Sequence, residues 1–262
     1  MTRALIFDCD GVLADTERDG HLVAFNQMWR EQNVPWQWTL EQYAVKLKIG
    51  GGKERIASLA RDDDFRAAYR VPAAQEAWLN VVAGWHRRKS EIFKELVLSG
   101  AMPARPGVKR LAQEAHDRGW VLAVCSTSAQ ASVQAVLDSV MGKELASTFA
   151  GVFAGDIVTA KKPAPDIYNY AADTLRLAHR DAVVVEDSRN GLLAARAAGM
   201  ACLVTVNGLT EREDFSEAAL VVDSLGDPGT PARVIANRSP ARPSEMVTVA
   251  DLEAIVAGAA TT

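Results

Sequence analysis

From Pro106 onward the chain alternates short apolar runs with amphipathic segments, and this rhythm restricts the possible folds more than any other feature. Helix-period spacing over 107–118 leads to the run Trp120–Ser126, and 130–141 leads to Gly151–Gly155. The segment 165–176 leads to Ala182–Asp187, and 190–198 leads to Ala201–Val206. Repeated strand and helix in this order predict a parallel sheet with helices on both faces. The run Ala4-Leu5-Ile6-Phe7 fits the same sheet, because a strand covered on both faces needs no polar alternation. Between these parts helical spacing continues (Leu22, Phe25, Trp29) to about Ser99, broken only at Val34-Pro35 and Gly50-Gly51-Gly52. The expected architecture is an α/β, doubly wound, Rossmann-like core of residues 1–14 and 103–262. An all-helical domain of residues 15–102 is inserted after the first strand. Trp29, Trp36, Trp38, Trp78, Trp85 and Trp120 are expected to be packing groups. Asp227–Pro243, rich in Pro, Gly, Arg and Ser, reads as a surface loop before a last helix near 249–258.

Composition narrows the class. The 262 residues are 48% hydrophobic and 24% charged, as in an ordinary soluble protein. A net charge of -4 argues against a broad nucleic-acid surface but permits a local basic pocket. No apolar stretch reaches the ~18 residues of a membrane span, and Met1-Thr2-Arg3 runs straight into the first strand, so no leader is expected. Cys9, Cys125 and Cys202 lie in separate apolar runs, which suggests buried reduced thiols rather than disulfides. A monomer in a cytoplasmic or plastid-stroma compartment is expected.

Ligands of a doubly wound sheet bind beyond the carboxyl ends of its strands. There the first strand offers Asp8 and Asp10, two carboxylates on one side that would resist joint ionisation without a cation or a shared proton. The second strand ends at Ser126-Thr127-Ser128, and the fourth at Glu186-Asp187-Ser188. The loop after the third carries Lys161-Lys162-Pro163. An acidic cluster beside hydroxyls and an ammonium suits phosphoryl transfer, where positioning and charge neutralisation do most of the catalysis.

Four segments carry a family resemblance: Phe7–Leu13, Lys48–Arg55, Ala123–Ser128 and Val183–Ser188. They resemble the haloacid dehalogenase superfamily in order and spacing, and in particular its CbbY-like branch of sugar-bisphosphate phosphatases. The resemblance implies that Asp8 is a nucleophile forming an aspartyl-phosphate and that Asp10 is the general acid, then base. For those roles Asp10 should have a raised pKa and Asp8 a low one. It also implies Mg2+ held by the Asp8 carboxylate, the Asp10 carbonyl and Asp187, with Glu186 acting through water. Ser126, aided by amides at Thr127 and Ser128, should meet the phosphoryl group. Lys162 should offset the shared negative charge, while Lys161 is expected to be a solvated surface residue.

In the inserted helices, Glu17, His21, Tyr43, Gly51, Gly52, Lys53, Arg55 and Lys89 are the substrate-binding candidates, with His86 nearby. Lys53 and Arg55 are expected to bind a second phosphate. The resemblance points to xylulose-1,5-bisphosphate as substrate. The alternatives are a phosphosugar mutase of the same fold and, outside catalysis, a sugar-phosphate sensor.

Overall fold

The computed structural model describes residues 2–100 and 102–259. Seven strands form one sheet in the order β3-β2-β1-β4-β5-β6-β7. They are β1 (Ala4–Phe7), β2 (Val121–Ser126), β3 (Gly151–Ala154), β4 (Ala182–Glu186), β5 (Ala201–Thr205), β6 (Leu220–Val222) and β7 (Val234–Asn237). β1 to β6 are parallel, and β7 runs antiparallel to β6. The doubly wound core is therefore as expected, with two strands more than the sequence suggests. β7 corrects the surface-loop reading of Asp227–Pro243. Its side chains are mostly exposed, so its sequence carries no burial pattern to betray an edge strand.

β1 is buried throughout because its two faces feed different apolar clusters. Leu5 and Phe7 pack into one cluster, Ala4 and Ile6 into the other. The core helices are α6 (Val108–Asp117), α7 (Gln130–Met141), α8 (Lys143–Ala146), α9 (Asp166–Leu175), α10 (Arg189–Ala197) and α11 (Val249–Ala259). Among the described residues the elements between β1 and α6 are all helical: a π-helical turn Glu17–Leu22, then α1 (Val23–Glu31), α2 (Leu40–Lys46), α3 (Gly52–Ala57), a 3-10 turn Ser58–Arg61, α4 (Asp63–Ala68) and α5 (Gln75–Leu98). Edge-to-face aromatic contacts hold this part together, including Trp29 against Trp38 and Trp36 against Phe65. Trp78 and Trp85 pack likewise. All three cysteines are free and buried. Among the described residues no helix is long and apolar enough to cross a membrane.

Register fixes the site. Phe7 pairs with both Val124 and Val185, so the chain leaves three adjacent strands within one residue of the same level, through Asp8, Ser126 and Glu186. β1 lies between β2 and β4, where successive connections run to opposite sides and a crevice opens.

Candidate active site

A cavity of about 520 Å³ opens over this crevice. From the sheet it is lined by Asp8, Asp10, Ser126, Thr127, Ser128, Lys162, Glu186 and Asp187. From the inserted helices come Glu17, His21, Gly52, Arg55, His86 and Lys89. Tyr43, Gly51 and Lys53 do not line it.

Lys162 is the electrostatic centre. Its buried ammonium donates to Asp8 Oδ1 (2.7 Å), Glu186 Oε1 (2.6 Å) and the Cys125 carbonyl (2.9 Å). Burial disfavours that charge, but Asp8 and Glu186 more than compensate and raise its pKa. Glu186 also accepts from Tyr168 Oη at 2.5 Å. It fits against α10 only because position 191 is glycine: a Cβ there would lie 1.9 Å from the carboxylate. Glu186 thus anchors Lys162, a tighter tie than the solvent-mediated role expected of it.

Asp8, Glu186 and Asp187 bring carboxylate oxygens within 4.8 Å of one another, all buried. Burial raises the pKa of Asp8 despite Lys162, with Glu186 and Asp10 adding to the rise. Burial likewise raises Asp187, with Asp8 and Glu186 adding to it. Gly11 closes over the cluster with φ +79°, and a Cβ there would fall 2.1 Å from Asp187 Oδ2. Three hard carboxylates carrying more negative charge than Lys162 offsets fit a divalent cation such as Mg2+. Such an ion would favour ionised Asp8 and Asp187.

Asp10 has the opposite environment. Oδ1 accepts from Thr16 Oγ1 (2.6 Å) and pairs with His21 Nε2 (2.8 Å), and Oδ2 accepts from Ser128 Oγ (2.5 Å). Burial pushes this carboxyl up, but His21 and the bonds from His21, Ser128 and Thr16 hold it well below the usual range. The expected order of pKa values, Asp10 raised and Asp8 low, is therefore reversed in the chain alone. Behind His21, Nδ1 lies 2.6 Å from Lys89 Nζ, completing a buried line from Lys89 through His21 to Asp10. Burial lowers Lys89 to about 7, against the pull of Asp10 and Glu17.

Ser126 Oγ accepts the Ser128 amide at 3.1 Å, which leaves its hydroxyl hydrogen free to donate into the cavity. That amide is thereby spent internally, and the Ser128 hydroxyl turns to Asp10 rather than to a phosphoryl group. α7 begins only at Gln130, so Ser128 stands before the helix start.

Arg55 faces the cavity and bonds to the Ile49 carbonyl (2.9 Å) and Tyr43 Oη (3.0 Å), with Glu17 3.8 Å away. Tyr43 donates to Glu17 from behind the wall. Lys53 instead pairs with Asp156, outside the cavity. Lys161 joins Asp156 (2.9 Å) and the Gly155 carbonyl, so it is tied down rather than simply solvated. Arg189 and Asn190 reach the rim. Arg189 is gripped by Glu217, and Asn190 donates to the Lys48 carbonyl at 3.2 Å.

Residues 2–199 match the haloacid dehalogenase-like hydrolase family. The chain belongs to this family. The CBBY-like protein of Arabidopsis thaliana is 44% identical over 87% of this chain and 70% of its own length. The plasmid CbbY of Cupriavidus necator is 38% identical over 87% of this chain and 88% of its own. Solved structures agree: CbbY from Rhodobacter sphaeroides in complex with phosphate is 37% identical, with a TM-score of 0.76 over 86% of this chain and 95% of that one. A mutant of that CbbY in complex with xylulose-1,5-bisphosphate superimposes equally well, at 38% identity. The chain is accordingly an enzyme, a phosphoric monoester hydrolase of the haloacid dehalogenase type.

Four site residues escape sequence reasoning: Thr16, Arg105, Tyr168 and Asn207. Asn207 Nδ2 donates to Asp187 Oδ2 at 2.7 Å. The strand-end rule applied to β5 points to it, since Asn207 is the first residue beyond the run Ala201–Val206. Thr16 and Tyr168 carry no such signal.

Proposed function

We propose that the chain is a Mg2+-dependent phosphatase of a small sugar bisphosphate, with xylulose-1,5-bisphosphate the favoured substrate and Asp8 the phosphoryl acceptor. The observation that carries this reading is the meeting of Asp8, Lys162, Ser126 and Asp187 at the ends of adjacent strands. The substrate is favoured because a CbbY of 38% identity was crystallised with xylulose-1,5-bisphosphate. In this reading residues 15–102 form a cap over a core of 1–14 and 103–262.

The carboxylates of Asp8 and Asp187 and the Asp10 carbonyl would hold Mg2+. When bound, the ion neutralises phosphoryl oxygens and keeps Asp8 ionised. Lys162 claims Asp8 Oδ1, which leaves Oδ2 to attack phosphorus as the bond to the sugar oxygen breaks. Asp10, ionised in the chain alone, first takes a proton from His21 and passes it to that leaving oxygen, then takes one from the water that cleaves the aspartyl-phosphate. The line from Lys89 through His21 is the route by which Asp10 exchanges its proton and sheds its charge. Ser126 meets the phosphoryl oxygens, Lys162 offsets their charge through Asp8, and the inserted helices exclude bulk water. Arg55, with Glu17 and Tyr43 fixing it, is the cation for the phosphate that does not react.

A phosphate-release panel over five- and six-carbon sugar mono- and bisphosphates tests this, with Mg2+ and with a chelator. Release from xylulose-1,5-bisphosphate should exceed that from monophosphates and stop on chelation. No release from it with Mg2+ present would overturn the assignment. Labelled phosphate recovered in sugar rather than in solution would mark a mutase.

A further inference from the structure

Arg105 is buried, yet its guanidinium faces carbonyls instead of a carboxylate. Nη1 donates to the Gly11 carbonyl (2.5 Å) and more distantly to that of Thr205 (3.5 Å). Nη2 donates to the carbonyls of Val206 (2.7 Å) and Asp223 (2.7 Å). Its ion-pair partner, Asp15, is 3.9 Å away and largely exposed, and its charge also acts on Asp187. A guanidinium is planar and always charged, so a fork spent on three backbone segments fixes their mutual geometry.

Two of those segments wall in Asp187. Gly11 lies against its carboxylate, as the 2.1 Å approach of a Cβ at that position shows. Val206 immediately precedes Asn207, whose Oδ1 accepts the Leu209 amide at 2.9 Å. That bond orients the amide group so that Nδ2 points at Asp187. The backbone of Arg105 belongs to the return connection of the inserted helices. Its amide donates to the Leu13 carbonyl at 3.0 Å, and Ala104 bridges antiparallel to Ala14. One side chain therefore joins the hinge of the insertion to both walls of the acidic cluster.

We infer that Arg105 is a positioning residue for the cation site: from the hinge, it sets the placement of Asn207 and Gly11 around Asp187, and so sets cation affinity. This rests on the reading of Asp8 and Asp187 as Mg2+ ligands. Residues that orient metal ligands without touching the metal typically change affinity by about 10- to 100-fold when replaced. Arg105→Lys keeps the charge and loses the fork, so it separates geometry from electrostatics.

The test is calorimetric titration of the full chain with Mg2+ and no substrate, for wild type, R105K, R105Q and N207A. We expect the dissociation constant to rise about tenfold or more in R105K and R105Q, and comparably in N207A. In turnover assays saturating Mg2+ should restore most of kcat in R105K, a rescue that general structural damage would not allow. Wild-type affinity in a folded R105K overturns the inference. Should both Arg105 variants fail to fold, N207A decides, since it keeps every Arg105 bond: unchanged affinity there overturns the inference too. A wild type that binds no Mg2+ overturns the functional reading itself, and the inference with it.

Discussion

Glu186 holds the Lys162 ammonium at 2.6 Å, no farther than that ammonium sits from Asp8. Lys162 is thus shared between a proposed nucleophile and a structural anchor, and all three groups are buried. Removing one partner of a buried ion pair leaves its counter-charge unpaired, at a cost of about 3–5 kcal/mol. K162M should lose about that much in urea unfolding and should also lose phosphatase activity. K162M/E186Q removes one stranded charge and should recover part of the stability but none of the activity. Equal stability of the single and double variants would show that Glu186 does not anchor Lys162.

Asp8→Asn removes the nucleophile while nearly preserving shape. Turnover of xylulose-1,5-bisphosphate should fall by at least roughly three orders of magnitude, as for other single nucleophile losses. Binding of the same compound, measured by calorimetry, should persist. Retained turnover would exclude Asp8 as the phosphoryl acceptor, and binding without turnover in the wild type would mark a sensor.

Lys53 and Arg55 are two residues apart on α3, and residues at that spacing do not share a helix face. One reaches Asp156 outside the cavity, the other the Glu17–Tyr43 pair within. R55A should therefore raise KM for the bisphosphate by about tenfold or more, the scale of a lost charge-assisted contact. K53A should change it by less than about threefold, because an ion pair to an exposed carboxylate contributes little. Equal KM effects would place both cations at the second phosphate.

The same pair shows where sequence reading stops. Asp8, Ser126, Glu186 and Asp187 are legible because parallel register forces strand ends onto one rim, and the apolar runs mark those ends. The helical character of the stretch after β1 is equally legible, since helix-period spacing interrupted only by turn residues, with no strand between, has few other readings. Which cation of a Lys-x-Arg faces the cavity depends on the rotation of a short helix against Asp156, a tertiary fact. Thr16 and Tyr168 reach Asp10 and Glu186 through hydrogen bonds that only the folded chain brings about. The reversed acidity of Asp8 and Asp10 likewise follows from neighbours distant in sequence, Lys162, His21 and Ser128. β7 hides because an exposed edge strand has no apolar alternation to show.

Lys89 gives a pH dependence whose sign is fixed. It is buried against Phe25 and Phe93, with His21 at Nζ and with Asp10, Glu17 and Arg55 acting on its charge. Burial lowers its pKa to about 7, whereas an unfolded lysine titrates near ~10.4. Below pH 7 both states carry the proton, and the folded state bears the cost of a buried ammonium. Between the two values the folded state has released the proton and the unfolded state still binds it, so stability rises with pH. The slope approaches about 1.4 kcal/mol per pH unit for one proton. K89M removes this contribution, so its unfolding free energy should climb less between pH 7 and 9 than that of the wild type. Urea unfolding of both proteins at pH 7, 8 and 9 measures the difference, in which thiols and tyrosines common to both cancel. Parallel curves would show that Lys89 keeps its proton throughout, and His21 would then face a permanent ammonium rather than one able to yield its proton toward Asp10.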